Sequence, residues 1–283
     1  MNDHYIVTVY VMIDDLLKAM QHQTDVRAGC SDAEILTVAI VAARAFQNHH
    51  ERALGVLQRL GYIGKVSISR FNRRLHRLLP VLYQLSWLVG EAFQGGRVYL
   101  IDTCPLPVCK RVRARRCRKV QGRAFYGYCA SRDEHYFGWQ LHLVCSAEGI
   151  PVAFEMLPAN WDELVAVQDL LAGLPEGSVV VADKGYISQK DELLAYVYGG
   201  VRLVPRYRKN MRGNSAADAA LLDAHRRQIE TVNSQLEKMG LQRLHARTND
   251  GFAFKVLASL LALAFQVAPQ DSVVIRMPPE IPI

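Results

Sequence analysis

The chain has no CxxC pair, no internal repeat and no excess of acid over base. It also has no apolar run of the roughly 20 residues that a bilayer requires. Its six cysteines, at 30, 104, 109, 117, 129 and 145, form no regular framework. In a chain of 283 residues they read as reduced, intracellular thiols rather than a disulfide scaffold. A zinc site built from Cys104, Cys109 and Cys117 stays open, against the tight C-x2–4-C spacing that structural zinc prefers. The apolar stretch from Val256 to Ala268 is 13 residues and includes Gln266. The opening MNDHYIVTVYVMIDDLLK has no basic leader and soon meets Asp14 and Asp15, so it does not read as a signal. The expectation is a soluble, cytoplasmic protein with no membrane partner.

What is present is a core and a basic surplus. Half of the residues are hydrophobic, and Lys plus Arg (34) exceed Asp plus Glu (27), a formal net charge of +7. That surplus suits a polyanionic partner, and its distribution says more than its size. The segment KRVRARRCRKVQGRA (110–124) holds eight basic residues in fifteen and no acid. The basic side chains are Lys110, Arg111, Arg113 and Arg115, then Arg116, Arg118, Lys119 and Arg123. A charge run is usually a solvated loop, but like charges at this density repel unless something anionic lies against them. With Phe125, Tyr126 and Tyr128 beside it, the segment reads as a phosphate-gripping loop with aromatic neighbours.

The first ninety-odd residues carry helical periodicity. SDAEILTVAIVAARAF opens with a capping box, Ser31 and Glu34. After a turn at LGYIGKVS, the segment SRFNRRLHRLLPVLYQLSWLVG places Arg70, Arg73, Arg74 and Arg77 on one side of a helix. Phe71, Leu75, Leu78 and Leu79 take the other. Two readings stand: a helix–turn–helix that sets a basic helix into a DNA groove, or a bundle with solvated arginines. Near residue 95 the pattern turns to strand. RVYLIDT, HYFGWQLHLVCS, IPVAFEMLPA, GSVVVAD and VRLVP read as strands, with a hairpin at Glu148-Gly149. NWDELVAVQDLLAGL reads as a helix capped by Asn160, and SQKDELLAYVYGG as a second. Long helices are expected over about 216–239 and 252–267. The order implies an α/β layered core, with a helical region over 1–95, a catalytic domain over 96–270 and a tail over 271–283.

Two strands end in a carboxylate. RVYLIDTCP runs into Asp102 before Pro105, and VVVADKGYIS runs into Asp183, then Lys184 and Gly185. A third acid, Glu230, lies on the helix AHRRQIETVNSQLEK. Arg226, Asn233 and Ser234 share its face, and Ile229, Val232 and Leu236 form the apolar stripe beside it. Singly each has a plain reading: a turn before Pro105, a loop cap, a partner for Arg226. Together, in strand–strand–helix order beside a basic loop, they read as one site. Gathered carboxylates are hard ligands for Mg2+ or Mn2+, and two such ions can activate a hydroxyl and stabilise the leaving oxygen at phosphorus.

These stretches, with YGYCASRDEHYFGWQLHLVCSAEGIPVAFEMLPANWDE and LHARTNDGFAFKVLASLLAL, resemble the DDE transposases of bacterial insertion sequences. The nearest likeness is to the insertion-sequence family numbered nine-eight-two, over about residues 97–268. The resemblance implies an RNase H-like catalytic core, a mixed sheet flanked by helices, behind the N-terminal all-helical region. It implies Asp102, Asp183 and Glu230 as the metal-binding triad, two Mg2+ ions per site, and DNA as partner, both terminal inverted repeats and target. It implies strand cleavage and strand transfer without a covalent intermediate, and a homodimer on DNA. Lys184 and Arg226 join the expected DNA contacts. Arg226 matches the arginine of the Y-x2-R-x3-E-x6-K signature, but Asp223 stands at the tyrosine and Glu237 at the lysine, with Lys238 one step on. Only 46 residues separate Asp183 from Glu230, too few for a large inserted domain. Two other readings compete. A haloacid dehalogenase-type phosphotransferase wants a second acid where Cys104 stands. A non-catalytic, transposase-derived regulator has no need of an intact triad.

Overall fold

The computed structural model describes residues 3–130, 132–211 and 213–267. The tail expected over 271–283 lies outside them. Contacts divide the chain into two compact units: residues up to Ala92 together with those from Leu236 on, and Phe93–Gln235.

The helical unit begins with α1 (Asp3–Ala19), α2 (Asp32–Phe46), α3 (His50–Arg59), α4 (Ile68–Arg77) and α5 (Leu79–Ala92). The capping box forms as read: the Ser31 hydroxyl accepts from the Glu34 N–H while the Glu34 carboxylate accepts from the Ser31 N–H. The basic segment expected as one helix is two, α4 and α5, parted at Leu78. Pro80 has no N–H to give to a continuing helix, but it is tolerated in the first turn of a new one, and that is where it lies. On α4, Phe71 and Leu75 are buried while Arg70, Arg73 and Arg77 are exposed.

The second unit is built on a six-stranded sheet: β1 (Val98–Lys110), β2 (Tyr126–Cys129), β3 (Glu134–Ser146), β4 (Pro151–Pro158), β5 (Val179–Ala182) and β6 (Arg202–Pro205). The order is β2-β3-β1-β5-β6, with β4 also on β3. β1 is antiparallel to β3 and parallel to β5, and β5 is parallel to β6, so the sheet is mixed. The hairpin from β3 to β4 turns on Gly149, whose φ of +90° only glycine adopts without strain. Among the described residues the unit also holds the α-helices α6 (Val167–Leu171), α7 (Gln189–Gly199) and α8 (Ala216–Lys238), the last of which leaves it after Gln235. The helix expected to be capped by Asn160 is instead capped by Asp162, whose carboxylate accepts from the Leu164 N–H. It begins as a 3-10 turn, Glu163–Ala166.

Alternation along the strands decides what each face carries. Tyr99, Ile101, Val180, Ala182 and Leu203 pack with α6 residues on one face. Leu100, Val181, Val204 and Leu222 of α8 pack on the other, with Ile229 against them. Asp102 continues the Leu100 side and Asp183 the Val181 side, so both aspartates belong to the α8 face. The strand carrying Asp102 does not stop there as read. β1 runs on to Lys110 beside β3, while its pairing with β5 ends at Ile101 opposite Ala182. Past that point β1 has one open edge, which is where a strand admits prolines such as Pro105 and Pro107. β2, not anticipated in the sequence, is a four-residue strand beside the start of β3.

The chain then returns to the helical unit as α9 (Asn249–Val267). By length and composition α9 could cross a membrane, yet 67% of its most apolar window is buried inside the protein. It packs on α2 and α5 as a core helix. Its Ala262 carbonyl accepts from the Tyr5 hydroxyl, and its Ser259 hydroxyl accepts from the buried Asn48 amide.

Candidate active site

A cavity of about 250 Å³ opens at the end of the β1–β5 pairing and is lined by Asp102, Asp183 and Glu230. Strand register places the first two, because Ile101 lies opposite Ala182 and each aspartate is the next residue along its chain segment. The fit of α8 places the third. Leu222 is buried against the sheet, and fully burying a leucine contributes about 2 kcal/mol. The Gln228 amide donates to the Glu148 carbonyl at 2.7 Å, an approach open because Gly149 has no Cβ. Ile229 and Leu222 then form the cavity wall, with Glu230 and Arg226 on the rim.

The Asp102 carboxylate is strongly perturbed. Burial pushes its pKa up to about 7, and the charges of Glu163 and Asp183 push the same way. Hydrogen bonds from the Thr103 N–H at 2.8 Å and the Asn233 amide at 2.8 Å oppose that rise. Glu230 is far more open. Its side chain is 62% exposed and meets Arg226 Nε at 3.2 Å. An exposed i,i+4 pair of this kind contributes about 0.5 kcal/mol, so the carboxylate can leave Arg226 at little cost.

The donor set fits a hard divalent cation. It is all carboxylate oxygen, and Asp102 is desolvated and repelled by neighbouring acids, a penalty that a cation removes. Among the described residues no three His, Cys, Asp or Glu side chains close on one point, and Glu230 is paired with Arg226.

The remaining residues singled out in the sequence divide. Lys184 and Arg226 line the cavity. Lys110 and the 3-10 turn Arg111–Arg116 follow β1, with Lys110, Arg111, Arg113, Arg115, Arg116, Arg118 and Arg123 exposed and none of them in the cavity wall. Lys119 is half-buried and its ammonium reaches the Val108 carbonyl at 3.5 Å. Arg70 and Arg73 are exposed on α4, whereas Arg74 is tied to the Asp32 carboxylate and the Cys30 carbonyl. All six thiols are free of disulfides.

Two residues of the site carry no signal as site residues in the sequence, and a third gains its role only from the fold. Arg206 lines the cavity and pairs with Asp223 at 2.7 Å. Asn233 shares the Glu230 face by helical spacing, and the fold adds its bond to Asp102. Glu163 acts electrostatically on Asp102 and accepts from the Thr103 hydroxyl at 2.9 Å. Its only signal was position, at the end of the PANWDE stretch.

One consequence is measurable without substrate. An acid whose folded pKa lies near 7, against 3.8 unperturbed, stabilises the fold while protonated. That contribution is complete below about pH 4 and is lost as pH rises through about 7. His50 and His142, whose pKa values burial lowers, act in the opposite sense over the same range, so the contribution is read as a difference. In EDTA, the melting temperature of the parent relative to Asp102→Asn should fall between about pH 4 and about pH 7. A difference that stays constant from about pH 4 to about pH 8 would contradict the burial of this carboxylate.

A mixed sheet flanked by helices, with acids gathered where the pairing of its central strands β1 and β5 ends, defines an RNase H-like core. Residues 93–250, more than half of the chain, match the family profile described as transposase DDE domain, and the chain belongs to that family. Comparison with curated proteins and with solved structures finds no match. A transposase has DNA as its partner.

Proposed function

We propose that this transposase binds the terminal inverted repeats of an insertion sequence, of the family numbered nine-eight-two, and catalyses strand cleavage and strand transfer at the cavity described above. One observation carries the reading: acids from β1, from the end of β5 and from α8 line a single cavity. Asp102, Asp183 and Glu230 would hold Mg2+, with Mn2+ as substitute and two ions in all. When bound, the metal would polarise the scissile phosphate and favour ionisation of the attacking hydroxyl. Asp102 accepts its two hydrogen bonds through both oxygens, which fixes the plane of that carboxylate. Arg226 offers Glu230 a resting partner and lies where a phosphate would meet it. Lys184 and Arg206 add positive charge to the same wall.

In this reading the basic segment 110–123 grips the DNA backbone, and residues 1–95 contribute Arg70 and Arg73 of α4 to a groove. Arg74 is already engaged within the helical unit and would support α4 rather than touch DNA. Residues 96–270 act as the catalytic domain, although the compact units cut the chain differently. A homodimer is expected on DNA, since coordinated processing of two ends needs two sites. An enzyme acting on chromosomal DNA would work in the cytoplasm.

The test is cleavage of DNA carrying the terminal repeats from beside the gene. Cutting is expected with Mg2+ or Mn2+ and none with excess EDTA. Full-rate cutting in EDTA would overturn the metal mechanism. End binding without cutting in either metal would favour the regulator.

A further inference from the structure

We propose that Glu163 is a positioning residue of the candidate active site, a brace that sets how far apart Asp102 and Asp183 are held. This rests on the reading of those two aspartates given above. Glu163 opens the 3-10 turn that follows β4 and reaches back to the end of the sheet. One carboxylate oxygen, Oε1, accepts from the hydroxyl of Thr103, the residue after Asp102. The other, Oε2, lies on Gly185, two residues after Asp183, so that a Cβ at position 185 would land on the carboxylate. A single side chain thus touches the segments that follow both aspartates.

This contact accounts for the glycine in ADKGY. Gly185 is not among the residues of positive φ, so its backbone does not call for glycine. The close approach of Glu163 does. The neighbouring side chain points the same way. Tyr186 is fully buried, its hydroxyl has no hydrogen-bond partner among the described residues, and Glu163 acts on it more strongly than Asp102 or Asp183. Burial and the Asp183 charge both raise the Glu163 pKa, against the Thr103 bond, so the group sits in the field of the acids that it braces.

The parallel strand pairing ends at Ile101 and Ala182, so no ladder bond between β1 and β5 fixes the aspartates themselves. Asp102 is held by its pairing with Leu143 of β3 and by the Asn233 bond, but neither ties it to Asp183. An error of about 1 Å between two groups that must share a cation is costly, as it is for any positioned catalytic pair.

The experiment uses the full chain and reads Mn2+ binding by electron paramagnetic resonance, beside cleavage of transposon-end DNA. Glu163→Ala should weaken Mn2+ binding by about tenfold and slow cleavage by about a hundredfold, with end binding within twofold of the parent. Glu163→Gln keeps the oxygen that accepts from Thr103 and the same shape, and should restore both readouts to within about tenfold of the parent. Gly185→Ala should displace the flexible Glu163 side chain and reproduce the Glu163→Ala loss. The Gly185→Ala/Glu163→Ala double variant should lose no more than either alone. The brace is overturned if Glu163→Gln is as impaired as Glu163→Ala, which would make the charge itself the working feature. It is equally overturned if the two losses multiply in the double variant, or if Glu163→Ala binds Mn2+ and cuts as the parent does. Asp183→Asn separates the two ideas. If the parent shows no Mn2+ binding that this variant removes, the metal reading of the site fails, whatever Glu163 does.

Discussion

Glu230→Gln is expected to abolish strand cleavage while end binding stays nearly intact, and Glu237→Gln to leave cleavage within about tenfold, roughly 1.4 kcal/mol in barrier. Both glutamates lie on α8, seven residues and about 10.5 Å apart along its axis, so one pair of ions about 4 Å apart cannot use both. Glu230 lines the cavity with Asp102 and Asp183. Glu237 does not, and it falls in the stretch from Leu236 on that belongs to the helical unit. Glutamine at 230 keeps the shape and the contact with Arg226 but not the charge. Initial rates on a labelled end duplex, beside gel-shift affinities, would check both variants. If the outcomes were exchanged, α8 would be misplaced against the aspartates by two turns.

Neutralising Arg111, Arg115 and Arg118 is expected to weaken end binding by about a hundredfold at 0.15 M salt, and to flatten the salt dependence by about 3 units. The parent slope should be about −4.5 if five basic residues of the segment reach phosphates. These three arginines are exposed, whereas Lys119 is occupied with the Val108 carbonyl. The seven charges remaining exposed along this segment cannot neutralise one another, and a polyanion would relieve them. Affinity measured at four or five salt concentrations decides it. An unchanged slope would make the segment a solvated charge run.

Much of this was legible in order along the chain because it depends on neighbours in sequence. The capping box of α2 needs only Ser31 and Glu34 three residues apart. The hairpin needs Gly149 at one turn. The approach of two aspartates followed from apolar runs that both stop on an acid, and the α8 stripe of Ile229, Val232 and Leu236 followed from helical spacing. A local signal misleads where its surroundings decide the outcome. Pro105 by itself marks a strand end, but β1 has lost β5 on one side there and carries proline onward. Pro80 lies within a run of helical periodicity, and in the fold it opens a new helix.

By itself, then, the sequence determined the classes of element, the acids that they carry and the basic segment, since periodicity, capping and charge are properties of residues close in the chain. Tertiary structure alone decided which atoms meet. Asn233 reaches Asp102 across 131 positions, and Glu163 reaches Thr103 across 60. The desolvation that raises Asp102 is burial, a property of the packed fold rather than of its spacing in the chain. Hydrogen bonds and burial depend on distance in space, and no spacing rule along one strand or helix specifies where a side chain from a distant turn will arrive.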